Sequence, residues 1–291
     1  MEISVNSDYF RRCRNGAVRS AEECALLCKA GGFSVLDCTP GLLAQEDWES
    51  RTQHLAEFLK AEGLRVEQSH APFNRYSQEP AEAFREKLRR AFRTAAILGA
   101  RRIVIHADEY HAPEGEYDSE AACRFAYDFF APFVEMAKKD GLGVAVENLF
   151  EDGLTGAGRS RCTSTVEEVL RVVELFHDEA VSVCWDFGHA AVSYGEGMLA
   201  PLRQAAPLVT CTHVHDNYLQ QDMHLPLFHG KIDWEAQVRC LREAGYAGAF
   251  TFEYVYGTLP DAAAVDFLQY QRRAAAELLR EAGFPVNGGE A

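Results

Sequence analysis

Long apolar runs are missing from this 291-residue chain. None approaches the roughly 20 residues that a membrane-crossing helix needs, so a membrane partner is not expected. The N-terminal Met1-Glu2-Ile3-Ser4-Val5-Asn6 has neither the basic start nor the apolar stretch of a secretory signal, which points to a cytoplasmic protein. Positive charge is scarce as well: 29 Lys and Arg against 44 Asp and Glu leave a formal charge of −15. So acidic a chain repels phosphate backbones, which argues against a nucleic-acid partner. No Cys-x-x-Cys pair occurs among the nine scattered cysteines. An odd count without a dense framework reads as reduced thiols, and Cys24 and Cys28, one helical turn apart, read as small apolar fillers. Neither a linker, a low-complexity tract nor a repeat beyond the strand–helix period interrupts the chain, so residues 1–291 are expected to form one domain, frayed over the last eight or so residues.

What is present is a steady alternation of short apolar runs and longer amphipathic ones. The runs Ile3–Val5, Phe33–Asp37, Leu64–Ser69, Ile103–Ile105, Leu142–Val146, Val181–Trp185, Leu208–Thr212 and Ala249–Phe252 read as strands. Between them, helical spacing runs over Glu46–Glu62, Glu79–Leu98, Tyr117–Lys139, Asp233–Ala244 and Pro260–Gly283, with a shorter helix near Met198–Ala205 after a loop holding Gly195 and Gly197. Ser20 with Glu23, and Ser164 with Glu167, have the spacing of capping boxes. Glycines at 31–32, 63, 99 and 141 stop helices. Nearly continuous apolar strands, each followed by a helix, predict an α/β fold: a single (β/α)8 TIM barrel with its site at the C-terminal ends of the strands.

Polar residues cluster at those ends: His70, His106, Glu147, Asp186 with His189 on the loop beyond it, His213 with His215, and Glu253. One buried His or Glu is usually structural. Six strand ends converging on one mouth repel each other unless a cation or a substrate compensates. Two carboxylates, one imidazole and a further glutamate make a hard, oxygen-rich set, so Glu147, Asp186, His213 and Glu253 are the expected ligands of one divalent ion. Mn²⁺, Mg²⁺ or Co²⁺ suits it, with Zn²⁺ an option. His213 and His215 share a face by the two-residue period of a strand. Lys231 could bind an anionic group. Arg159 and Arg161, in a glycine-rich segment from Glu151 to Arg161, read first as solvated loop charge. His54, His111 and His177 read as surface residues, while Trp185 and Phe187 fit a pocket wall and a core equally well.

Glu147-Asn148, Asp186-Phe187-Gly188-His189, His213-Val214-His215-Asp216, Asp222-Met223-His224-Leu225-Pro226 and Glu253 together resemble the xylose isomerase-like barrel superfamily over nearly the whole chain. That superfamily holds sugar phosphate isomerases and epimerases, ketose 3-epimerases, hydroxypyruvate isomerase, inosose dehydratase and the apurinic endonuclease IV family. The resemblance implies a sugar isomerase or epimerase acting on a ketose, keto-inositol or sugar phosphate through a metal-stabilised enediolate. Glu147 and Glu253 would be its proton-transfer pair, and His189, His215, His106, His70 and Lys231 substrate contacts. A small sugar or polyol is then the expected partner, and a homodimer is compatible with the family. The endonucleases hold three zinc ions with nine residues, and this chain offers His70, His106, Glu147, Asp186, His189, His213, Asp222, His224 and Glu253 in the same order of types. A zinc phosphodiesterase acting on abasic DNA is therefore one alternative, and Asp222 with His224 a candidate second metal site. Against it, Asn148-Leu149-Phe150 stands where that family carries Ala-Gly-Gln-Gly. A non-catalytic, metal-containing sugar-binding barrel is the other alternative, opposed by the presence of both glutamates.

Overall fold

Most strand residues of the protein are buried on both faces, although β3 (Arg65–His70) is largely polar in sequence. That burial is what a parallel sheet closed on itself and wrapped in helices requires. The computed structural model describes residues 1–73, 79–110, 117–151, 160–254 and 258–286. In chain order the elements are β1 (Ile3–Asn6), α1 (Ala21–Ala30), β2 (Val35–Asp37), α2 (Trp48–Ala61), β3 (Arg65–His70), α3 (Ala81–Ile97), β4 (Arg102–Ile105), α4 (Ser119–Lys139) and β5 (Gly143–Glu147). Then come α5 (Val166–Phe176), β6 (Val181–Asp186), α6 (Phe187–Tyr194), α7 (Leu199–Ala205), β7 (Val209–His213), α8 (Trp234–Glu243), β8 (Phe250–Phe252) and α9 (Asp261–Glu281).

The strands are parallel in the order β7-β6-β5-β4-β3-β2-β1-β8. The ring closes just beyond β7, where Val214 N–H donates to Thr251 O at 2.8 Å and Glu253 N–H donates to Val214 O at 3.1 Å. Closure at that level sets the ends of β7 and β8 side by side, so His213, His215 and Glu253 become neighbours. The eight-stranded (β/α)8 barrel is the architecture expected. Inside it, Val104, Ala145, Cys184 and Cys211 from four consecutive strands form a layer of small side chains. The larger core lies outside the strands, under the helices, and contains Trp185, Phe187, Trp234 and Phe250. Trp185 and Phe187 are therefore core residues.

Three expectations need correction. Asp186, His213 and Glu147 each end a strand instead of following it, so these side chains stand on the last rung of the sheet. His189 lies in the first turn of α6, not in a loop, because Asp186 caps that helix: its Oδ1 accepts from His189 N–H at 2.7 Å. The cap of α5 is Thr165, whose hydroxyl accepts from Glu168 N–H at 3.3 Å, one residue later than the Ser164–Glu167 spacing suggests. The Ser20–Glu23 capping box forms as read. Most of the glycine-rich segment after Glu151, including Arg159, lies outside the described residues, as do His111 and the end of the tail. Among the described residues no helix is long and apolar enough to cross a membrane.

Candidate active site

The strand ends open into a cavity of about 530 Å³ whose floor is acidic and basic side chains and whose walls include Leu43, Pro72, Phe73 and Phe150. Glu147 is its centre. As the last residue of β5 it is 1% exposed, and four imidazoles surround its carboxylate. Oε2 is 3.1 Å from His70 Nε2 and 3.0 Å from His106 Nε2. Oε1 is 3.2 Å from His189 Nδ1 and 3.2 Å from His213 Nδ1. Burial alone would raise the Glu147 carboxyl, but His213 and His106 outweigh it and hold it well below the usual range. The two imidazoles on Oε2 respond oppositely. In His106 burial prevails and pushes the ring down, whereas in His70 burial is overcome by the bond to Glu147 and the ring is pushed up.

Asp186 is fixed from three sides. Asn148 clamps its backbone, accepting from Asp186 N–H at 2.7 Å and donating to Asp186 O at 2.9 Å. Its Oδ1 caps α6, which leaves Oδ2 toward His215 Nε2 at 3.1 Å and His213 Nδ1 at 3.7 Å. Gly188 is needed for close approach: a Cβ there would stand inside the His215 ring. His215 is fully buried and does not line the cavity; it props Asp186 and stacks on His224 with ring centres 3.9 Å apart.

Glu253 follows β8, and both its oxygens are held from β1 and the short turn after it. Asn6 Nδ2 donates to Oε1 at 3.2 Å and Tyr9 Oη donates to Oε2 at 3.3 Å. Burial and the surrounding carboxylates push the Tyr9 phenol far up, so it stays a donor. The segment after β7 brings Asp222 and His224 over the cavity. His224 Nδ1–H donates to Glu253 O at 3.0 Å, which turns Nε2 toward Asp222 Oδ2 at 3.2 Å. Burial disfavours the His224 imidazolium, but Asp222 more than compensates and its pKa rises to about 9. His189 Nε2 lies 3.6 Å from the same Asp222 oxygen.

The donor set fits a divalent ion. Potential ligand atoms of Glu147, Asp186 and His213 all lie within 4.8 Å of one another, and Glu253 joins through His213 and Asp37. His213 is fully buried, and among the described residues neither ring nitrogen makes a well-aligned hydrogen bond, although Nδ1 lies 3.2 Å from Glu147 Oε1. Orphaned buried nitrogens are costly, and an imidazole facing two carboxylates loses that cost when one nitrogen binds a cation. Further groups of the same kind comprise His70, His106 and Glu147, and His215, His224 and Glu253. Carboxylate with imidazole and no thiolate suits Mn²⁺, Mg²⁺, Co²⁺ or Zn²⁺.

Among the described residues, then, the structure gathers ten of the expected side chains in one place and leaves Lys231 out. Lys231 is exposed and does not line this cavity. Arg161 also departs from the reading of its sequence. It is buried, lines the cavity, and donates from Nε to the fully buried Asp108 Oδ2 at 2.8 Å. His54 and His177 are exposed, as read. Asn6, Tyr9, Asp37 and Asp108 also belong to the site, through Glu253, His213 and Arg161. Asp37 ends β2 as Glu147 ends β5, and burial pushes its carboxyl up to about 7; its strand-end position was the available signal.

A family model described as a xylose isomerase-like TIM barrel matches residues 26–283. An uncharacterized protein of Sinorhizobium fredii, y4fM, is 28% identical over 200 residues, which is 67% of this chain but 59% of that relative's own length. Among solved structures, a D-tagatose 3-epimerase-like protein is 22% identical with a TM-score of 0.72, over 97% of this chain and 98% of that one. The IOLI protein with a bound zinc atom is 16% identical, with a TM-score of 0.72 over 97% and 99%. A Mycobacterium smegmatis protein of the same fold, in complex with magnesium, is 18% identical, with a TM-score of 0.67 over 96% and 97%. At such identities the structural likenesses speak for the fold alone.

Proposed function

The chain belongs to the xylose isomerase-like TIM barrel family, and from that premise we propose that it is a divalent-metal-dependent isomerase or epimerase of a small ketose, keto-inositol or related sugar. One observation carries this reading. Two buried carboxylates, Glu147 and Glu253, face a single cavity from strands three places apart around the barrel. Binding alone needs no such pair; moving a proton between two faces of a substrate does. The epimerase name and the bound ions of similar structures point the same way.

Glu147, Asp186 and His213 would hold the ion, and Glu253, the fourth expected ligand, would face it from the side of the other His213 nitrogen. When bound, it would stabilise the negative charge that builds on substrate oxygens as a carbon beside a carbonyl loses its proton. Glu253, steadied by Asn6 and Tyr9, serves one face of that carbon and Glu147 the other. His189 and His106, which line the cavity, would contact hydroxyl groups. The apolar wall of Leu43, Pro72, Phe73 and Phe150 lowers the polarity around the developing charge, while the two carboxylates exchange their protons with solvent between turnovers. Return of the proton to the opposite face epimerises, return to the adjacent carbon isomerises, and loss of a β-hydroxyl dehydrates. Among the described residues the cavity is lined by one arginine, already paired to Asp108, beside Asp8, Glu147, Asp222 and Glu253, which favours unphosphorylated substrates. The test is deuterium uptake from D₂O into a panel of ketohexoses, ketopentoses and keto-inositol with Mn²⁺ present. Glu253→Gln should lose uptake by at least about 100-fold while remaining folded. Absence of exchange on every member of the panel would refute the proposal.

A second reading rests on a specific feature, the pair of imidazoles on Glu147 Oε2 and the His189–Asp222–His224 group beyond Asp186. Nine residues of the types that apurinic endonucleases use for three zinc ions converge here. Cleavage of abasic duplex DNA by the zinc-loaded protein would establish it over the first.

A further inference from the structure

His213 is bracketed by four carboxylates. Its Nδ1 faces Glu147 Oε1 at 3.2 Å and Asp186 Oδ2 at 3.7 Å, while its Nε2 faces Glu253 Oε1 at 3.6 Å and Asp37 Oδ2 at 3.8 Å. A neutral imidazole offers one lone pair and one N–H. Whichever nitrogen binds an ion, the other must give its proton to an acceptor, and that acceptor sets the tautomer and the ring plane.

Of the two carboxylates at Nε2, Glu253 already accepts one bond at each oxygen, from Asn6 and from Tyr9. Asp37 is not. It is fully buried at the end of β2, Oδ2 accepts only from Gln68 Nε2 at 3.1 Å, and Oδ1 has no partner. Gln68 cannot turn its oxygen to Asp37, because that oxygen already accepts from Thr251 Oγ1 at 3.2 Å. The result is a chain of side chains from β8, β3, β2 and β7 that ends on His213, and of the two carboxylates at Nε2 only Asp37 has an oxygen, Oδ1, that accepts nothing from the described residues.

We infer that Asp37 is a positioning residue for the metal site: it accepts the Nε2 proton of His213 and thereby presents Nδ1 to the ion shared with Glu147 and Asp186. The inference rests on the metal-site reading given above and adds a residue to it. Asp37 touches neither ion nor substrate. It acts through the ring, raising its basicity and removing the alternative tautomer, in the way a carboxylate behind a ligating histidine does.

The test uses the metal alone. Mn²⁺ affinity is measured by calorimetry on wild type and Asp37→Asn, with thermal melting of both metal-free proteins as the control for folding. The His213 tautomer is read independently from ¹⁵N shifts of histidine-labelled protein. Asn keeps the bond from Gln68 through its oxygen but offers His213 a poorer acceptor. The expected result is a 10- to 100-fold weaker Mn²⁺ affinity with an unchanged stoichiometry, and a wild-type His213 protonated at Nε2. Equal affinity in the two proteins, or a wild-type ring protonated at Nδ1, overturns the inference while leaving the metal site standing. A wild-type protein that takes up no Mn²⁺ overturns both.

Discussion

Asp216 carries the segment that closes over the cavity, and its loss can be worked out bond by bond. The side chain is fully buried. Oδ1 accepts from Asn217 N–H at 2.9 Å and Ile232 N–H at 3.2 Å, and Oδ2 accepts from Trp234 Nε1–H at 3.0 Å. Its backbone exchanges two 2.8 Å bonds with Leu225, which fixes Asp222 and His224 relative to the barrel. Asp216→Asn keeps one oxygen for the two backbone donors but turns an amide N–H toward the indole N–H. One charge-assisted bond is lost and a buried donor is left alone, at a cost of about 1.5–3 kcal/mol. Asp216→Ala orphans three donors and costs on the order of 4 kcal/mol, since such losses are less than additive. For a chain of this size, Asp216→Asn should lower Tm by roughly 2–5 °C. Urea unfolding of a double-mutant cycle with Trp234→Phe isolates the indole bond. Once the indole donor is gone, Asp216→Asn should cost about 1 kcal/mol or less. If Asp216→Asn is within about 0.5 kcal/mol of wild type, or if the cycle is additive, the reasoning fails.

Other consequences are as direct. Gly188→Ala forces the His215 ring off Asp186 Oδ2, so Mn²⁺ affinity should fall by about 10-fold or more as the ligand loses its support; an unchanged calorimetric Kd would refute this. Asp108→Ala leaves the Arg161 guanidinium buried without its partner and should cost about 3–5 kcal/mol, whereas a loss below about 1 kcal/mol in chemical denaturation would mean that Arg161 finds solvent. The cysteines are all free and, apart from Cys13, buried. Burial pushes the Cys24 and Cys38 thiols up to about 12, leaving little thiolate at pH 8. A disulfide reagent should therefore label Cys13 quickly and the other eight only in denaturant; rapid native labelling of several thiols would contradict the packing.

The barrel was legible because parallel strands buried on both faces leave uninterrupted apolar runs such as Ile103-Val104-Ile105, and helix ends leave glycines such as Gly99, whose φ is +73°. Glu147, Asp186, His213 and Glu253 were legible for the same reason: a charged residue closing an apolar run has to face something. Helix α6 was hidden because its cap is Asp186 itself, so a carboxylate read as a ligand also starts a helix with no polar break before it. Asp37 ends the run Phe33–Asp37 just as the chain turns into Cys38-Thr39-Pro40, where an aspartate is also an ordinary turn residue, so its position alone did not separate the two roles. Asn6 and Tyr9 act on a glutamate 247 and 244 residues away, and no local pattern encodes such a contact. Arg161 looked solvated among glycines because its partner, Asp108, lies 53 positions earlier.

The metal site is the claim on which the rest depends. The most direct measurement is elemental analysis of the protein purified without added metal, repeated after soaking with Mn²⁺ and removing the excess. About one divalent ion per chain, lost in Asp186→Ala, is the result expected. Two or three zinc ions per chain would transfer the site to the phosphodiesterase reading. No bound ion before or after soaking would contradict the account.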